Sequence, residues 1–175
     1  MKILYRNFSP ELVFHERKGV SMAPEITIVD SLPEHVGALK SNLRREDANE
    51  ILRFGVSIQH ALWRGYRGSI YRKTAFIDGI PAAMWGVCGA LLGGKGQVWL
   101  MTTPDVYKVS PLKFARIYQE ETRKMLRLFP LLENYALAEY DAAIRLLDIC
   151  GFSMGEPEPM GINRALHRKF WIERK

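Results

Sequence analysis

The residues from Gln97 to Phe152 decide the fold. QVWLMTT (97–103), PDVYKV (104–109), SPLKFARIYQEETRKMLRLF (110–129), LLENYALAE (131–139) and YDAAIRLLDICGF (140–152) read in turn as strand, loop, helix, strand and helix. A strand, a crossover helix and a returning parallel strand make one βαβ unit. Open α/β sheets place a binding crevice at the carboxyl ends of such strands. Ser110 caps the long helix and Pro111 suits its first position. Phe114, Ile117, Tyr118, Met125 and Leu128 form its expected buried stripe, and Pro130 stops it. Gly151 is expected to end the last helix in the left-handed conformation, with Phe152 making the apolar contact that accompanies it.

Upstream of that unit, EITIVD (25–30) alternates and is β-branched, so it reads as a strand. Ser31-Leu32-Pro33-Glu34 has the form of a capping box with Ser31 as N-cap, and Val36, Leu39 and Leu43 then mark one helical face. A second short helix runs from about Asp47 to Phe54 and ends at Gly55. Ser57 caps a third, SIQHALWRGYRG (57–68). RKTAFIDGIPAAMWGV (72–87) is a hairpin on Asp78-Gly79, a pair suited to the two positive-φ positions of a type I′ turn. Gly93-Gly94-Lys95-Gly96 leads into a strand with no following G-K-[ST], so it reads as a turn and not as a phosphate loop. After EPEPMG (156–161), the tail NRALHRKFWIERK (163–175) supplies a final strand pair. The order is α+β in its first half and βαβ in its second.

The chain has 175 residues, 47% of them hydrophobic and 25% charged, which suits one soluble globular domain. Residues 22–175 form that domain; residues 1–21 follow no clear period and read as an extension, disordered or left by an upstream start. No apolar run reaches the roughly 18–20 residues of a membrane span. IPAAMWGVCGALLGG (80–94) is too short and too rich in glycine, and reads as a buried strand. The N-terminus lacks the form of a signal peptide, which suggests an intracellular protein. Cys88 and Cys150 lie in apolar surroundings and read as buried thiols, and the four histidines show no metal-ligand spacing. The net charge of +6 is concentrated at the two ends. Such ends attract nucleic acid, anionic cofactors or acidic proteins, or simply keep the surface wet; the last reading is favoured over a nucleic-acid patch.

The element order, with AIRLLDICGF (143–152) at its end, resembles the GNAT family of N-acetyltransferases over about residues 25–172. The resemblance implies a mixed central sheet of six to seven strands flanked by four to five helices. A narrower set, Trp99, Thr102, Thr103, Met125, Leu126, Asn134, Tyr135, Ile144, Arg145 and Leu147, resembles the GNAT-like internal virion proteins of short-tailed bacteriophages. That likeness implies a protein of the host-cell cytoplasm or the virion, with a virion or host protein as partner.

A GNAT enzyme grips the pyrophosphate of acetyl-CoA, deprotonates an amine and protonates a departing thiolate. The resemblance implies cofactor contacts at Met101, Thr102 and Thr103, and around the helix start at Lys108, Ser110 and Lys113. The family's glycine-bearing loop is missing, because residues 102–115 contain no glycine and Pro111 removes one N–H where an anion would want it. The three polar residues there read equally as a cap and two solvated lysines. Weak or absent acetyl-CoA binding is the expectation. Leu147 stands where the family often has its acidic Tyr; Tyr140 is the alternative proton donor, or an amphipathic Tyr at a helix start. Glu139 is the candidate base, or a charge that stabilises the helix dipole. His60 and Trp63 lie on the helix that lines the acceptor side in the family. Two functions stay open: an acetyl-CoA-dependent N-acyltransferase, and a non-catalytic phage protein that keeps the scaffold for virion morphogenesis, DNA ejection or binding a host protein.

Overall fold

The structure is a computed structural model and describes residues 23–174; the proposed extension at 1–21 lies outside them. Seven strands form one sheet: β1 (Ile26–Asp30), β2 (Ser69–Ile77), β3 (Ile80–Cys88), β4 (Lys95–Thr102), β5 (Leu131–Leu137), β6 (Ser153–Met160) and β7 (Ala165–Glu173). Their order across the sheet is β1-β2-β3-β4-β5-β7-β6. All neighbours are antiparallel except β4 and β5, which the crossover helix joins in parallel. Five helices flank the sheet: α1 (Pro33–Ser41), α2 (Arg45–Arg53), α3 (Ile58–Gly68), α4 (Pro111–Leu128) and α5 (Asp141–Cys150). The expected α+β sheet of six to seven strands with four to five helices is therefore present.

β3 explains why the sheet carries helices on both faces. Its run Ala82, Ala83, Met84 and Trp85 is wholly buried, as a strand covered on both faces must be. Met84 packs with Val36 and Leu39 of α1 and Leu62 of α3. Trp85 points the other way, into the main core with Tyr118 and Met125 of α4 and Leu147 of α5. The Asp78-Gly79 turn has φ of 51° and 76°, as the hairpin requires. Ser110 caps α4 through the Lys113 N–H (3.3 Å), and Gly151 ends α5 at φ 88°.

Two local expectations need correction. Leu32, not Ser31, is the N-cap of α1, and His35 Nδ1 accepts from its N–H at 3.2 Å. Ser31 is drawn inward instead, because its hydroxyl bonds Thr74 of β2 at 2.9 Å. Leu128 is exposed rather than part of the stripe of α4; Ala115, Glu121 and Thr122 take the buried places. The stripe drifts because a 3.6-residue period returns to the sheet at 115, 118, 122 and 125.

Candidate active site

β4 and β5 pair only at Lys95–Leu131, Gly96–Leu132 and Gln97–Glu133, then diverge. Backbone groups alternate in direction along a strand. Thr103 N–H bonds Ala82 C=O at 2.8 Å, so Val98, Leu100 and Thr102 turn their backbone groups toward β5. Ala138 N–H bonds Leu166 C=O at 2.8 Å, so Tyr135 and Leu137 turn theirs toward β4. A V-shaped gap separates these two rows.

Side chains hold the gap at both ends. At the narrow end Asn134 Nδ2 donates to Val98 C=O (2.8 Å), and its Oδ1 accepts from Tyr135 N–H (2.9 Å) and Gln97 Nε2 (3.2 Å). At the wide end α2 supplies the partners. Asp47 Oδ2 accepts from Thr102 N–H (2.9 Å) and Thr102 Oγ1 (2.5 Å). Arg44 N–H donates to Thr102 C=O at 3.0 Å. Glu50 Oε1 accepts from Leu137 N–H at 2.7 Å. Asp47 and Glu50 are three residues apart on a helix and so share a face; one carboxylate serves each strand. Leu100 lies between the two ends, with its N–H and C=O facing the gap.

A cavity of about 960 Å³ passes through the gap. Ile51, Phe54 and Gly65 border it on one face of the sheet, and Phe114, Ala115 and Leu146 on the other. Its walls are mainly apolar, with a few polar groups converging on the gap, which is the usual constitution of a ligand site.

Tyr140 stands at the start of α5 and is buried. Its hydroxyl donates to Asp47 Oδ1 (2.8 Å) and accepts from Arg44 Nη2. The Arg44 guanidinium also lies 5.4 Å from the Tyr107 ring centre. Asp47 is thus held by Arg44, Thr102 and Tyr140. Burial pushes its carboxyl up, and the opposing pull of Arg44 and the Thr102 bonds leaves it above the ordinary range. Glu50 is perturbed further: burial raises it to about 7, the Leu137 N–H opposes the rise, and the Asp47 charge adds to it.

The structure brings some of the sequence-derived site residues together and disperses others. Met101, Thr102 and Tyr140 border the cavity. Thr103 does not, because its N–H is spent on β3 and its hydroxyl turns to Pro81 C=O (3.4 Å) and Asp105 (3.4 Å). Lys108 is paired with Asp105 at 2.8 Å. Ser110 spends its hydroxyl on the cap of α4, and Lys113 is exposed. Glu139 is displaced from the site: it pairs with Arg53 at 2.7 Å on the outer surface, with 62% of its side chain exposed. His60 is exposed, and Trp63 packs edge-on to Tyr66 at 5.7 Å. The face of α3 that meets the cavity carries Ala61, Arg64, Gly65 and Gly68. Trp63 is about 100° or more from each residue of that face, whereas His60 lies one turn before Arg64 at the edge of the face and stays in solvent.

Arg44, Asp47, Glu50 and Leu100 were missed. The available signal is the i, i+3 spacing of Asp47 and Glu50 on the short second helix, which puts both acids on one face; in the structure Glu46 beside them is exposed and Asp47 is not. Cys88 and Cys150 are free thiols. Burial pushes the Cys150 thiol up to about 11, which makes it inert at neutral pH. Among the described residues no cluster of His, Cys, Asp or Glu could hold a metal, and no helix is long and apolar enough to cross a membrane.

A sheet split between two parallel strands, with the start of the crossover helix at the split, defines the GNAT acetyltransferase fold. Solved structures agree. The chain is similar to the ribosomal-protein-S18-alanine N-acetyltransferase from Escherichia coli, with a TM-score of 0.62, 16% identity and coverage of 85% of this chain and 94% of the other. It is similar to a GNAT-family acetyltransferase from Streptococcus pneumoniae, at 0.60 and 13%, over 86% and 100% of the two chains. It is also similar to the spermidine N-acetyltransferase from Vibrio cholerae, solved with CoA and spermine, at 0.63 and 10%, over 85% and 95%. No protein-family model and no curated protein matches the chain.

Proposed function

We propose that this protein is an N-acyltransferase that uses acetyl-CoA with a weakened hold on its pyrophosphate. The observation that carries the reading is the gap beside Leu100: two backbone groups of one strand face an apolar cavity where an amide-bearing arm can complete the ladder. The arm therefore fits. The pyrophosphate end fits less well. Pro111 has no N–H, the Lys113 N–H is held by Ser110, and Lys108 is neutralised by Asp105. Lys113 and the exposed Arg145, which borders the cavity, remain as charges for that end.

When bound, acetyl-CoA supplies an activated acyl thioester. The protein orients it through Leu100 and excludes water with the apolar walls. Tyr140, which borders the cavity, is our proposed proton donor to the departing sulfur; Arg44 holds its oxygen, and its proton turns from Asp47 to sulfur in that step.

A second reading is a non-catalytic scaffold acting in a phage virion or on a host protein. The network of Arg44, Asp47, Thr102 and Tyr140 favours it, because that network already satisfies the wide end of the gap without a ligand. Its phage context rests on the sequence resemblance alone. Nucleic acid, met through the basic ends, is the weakest partner.

Calorimetry with acetyl-CoA separates the two. The transferase reading expects a Kd between about 10 µM and 1 mM, that is −7 to −4 kcal/mol, together with acetyl transfer to a primary amine. A flat titration with no transfer removes the transferase and leaves the scaffold.

A further inference from the structure

We infer that Glu50 of α2 is the general base for the acceptor amine and that Asp47 is its positioning partner. This inference rests on the transferase reading. The cavity offers few alternatives. Glu139 faces solvent on Arg53. Glu121 is buried among its own donors and does not border the cavity. His60 is exposed, and it lies outside the lining, as do His35 and His167. Asp47 and Glu50 are the carboxylates that border it.

These two differ in what they have left to give. Both oxygens of Asp47 are occupied, Oδ1 by Tyr140 and Arg44 and Oδ2 by both donors of Thr102. Glu50 spends Oε1 on Leu137 N–H and leaves Oε2 without a protein partner among the described residues. The bond to Leu137 does more than satisfy a strand. It fixes the carboxylate to the rigid β5 at the wide end of the gap, so the free oxygen is aimed by the backbone and not by a loop. Burial and the neighbouring Asp47 set the proton affinity of Glu50 near that needed at neutral pH.

An amine arrives as an ammonium, and two carboxylates in an apolar wall attract that cation. Glu50 Oε2 takes one proton from nitrogen, directly or through one water. Nitrogen then bonds to the acyl carbon, the carbon–sulfur bond breaks, a second nitrogen proton leaves to water, and Tyr140 gives its hydroxyl proton to sulfur and regains one from solvent.

The test compares wild type with E50Q, which keeps an oxygen for Leu137 N–H. Acetyl transfer is measured across pH 5.5–9 with ethanolamine, lysine, spermidine and an alanine-initiated peptide. The expected result is a loss of at least 100-fold in kcat for E50Q, with the KM for acetyl-CoA within threefold, and the disappearance of an acid limb centred near 7. In E50A, added formate or azide restores part of the rate, which a purely structural residue would not allow. Carbon-13 carboxyl spectra of glutamate-labelled protein give a readout without turnover: one resonance titrates near 7 and is missing in E50Q. If wild type is active and E50Q retains a third or more of its rate with the acid limb unchanged, the inference falls and the transferase reading stands. If wild type acetylates none of these amines, both fall.

Discussion

Glu121 and Glu50 are carboxylates withdrawn from water on helices that cover opposite faces of one sheet, and they behave in opposite ways. Glu121 sits on α4 at 2% exposure. It accepts from Tyr71 Oη (2.6 Å), Trp85 Nε1 (3.1 Å) and Lys124 Nζ (2.5 Å). Burial alone would raise its carboxyl, yet the bonds from Lys124, Tyr71 and Trp85 outweigh burial and leave it below the ordinary range. Glu50 receives a single backbone N–H and is pushed up to about 7. Burial acts on both; at Glu121 it is outweighed by three donors, one of them the Lys124 cation, whereas Glu50 has one backbone N–H and the Asp47 charge beside it. A carboxylate surrounded by donors is a structural tie, and one left short of donors keeps chemistry available.

Replacing Glu121 breaks the tie and gives the largest effect. E121A strands the fully buried Trp85 N–H and the half-buried Tyr71 hydroxyl, at about 1–3 kcal/mol for a buried donor left unpaired. We expect a loss of about 3 kcal/mol and a Tm lower by about 6–12 °C for a domain of this size, read by thermal denaturation at pH 7.5. A change under about 1 kcal/mol would mean that water replaces the carboxylate and that the comparison overstates its role.

The second effect is pH-dependent and of opposite sign. Glu50 binds its proton more tightly when folded, so its stabilising contribution is intact below about 4.5 and is lost as pH rises through about 7. E50Q lacks this loss. Wild type and E50Q should therefore have similar stability near pH 5, and by pH 8.5 wild type should be less stable by about 2 kcal/mol, less than the full linkage value because the side chain is only partly enclosed. Glu121 has the reverse dependence: its contribution is present above the ordinary glutamate range and lost as pH falls through its lowered value. Denaturant melts of wild type, E50Q and E121Q at a series of pH values separate the two slopes.

Much of this contrast is hidden from the sequence. The Asp78-Gly79 turn, the Ser110-Pro111 start and the Gly151 stop were legible because each depends on a few neighbouring residues, whereas the distant Thr74 draws Ser31 away from its expected cap. The splay of β4 from β5 was legible through the order of elements and the fold it resembles. The carboxylates were not. Asp47 meets Thr102 and Tyr140, which lie 55 and 93 positions away, and Glu50 meets Leu137 across 87. Glu139 was a reasonable candidate by position along the chain, since it is the second residue after β5. Its side chain nonetheless leaves the gap for Arg53, a contact that depends on where α2 docks. Glu121 is an acid inside an apolar stripe, which breaks the helical pattern, and only the distant Tyr71 and Trp85 explain its place.

The smallest expected effect concerns the entrance of α4, where charge is present without donors arranged around a ligand. Lys108 is paired with Asp105, and Lys113 is exposed. Solvated charges of this kind contribute about 0–1 kcal/mol each and weaken further with salt. The double variant K108E/K113E should therefore shift the Kd for acetyl-CoA by less than about tenfold at 0.15 M salt, and by less again at 0.5 M. A loss of about 100-fold or more, about 2.7 kcal/mol, would show that these lysines leave their solvent positions to enclose the pyrophosphate. The hold on that end would then be built on binding, as Glu121 is on folding, and the weakened grip assigned to Pro111 and Ser110 would be wrong.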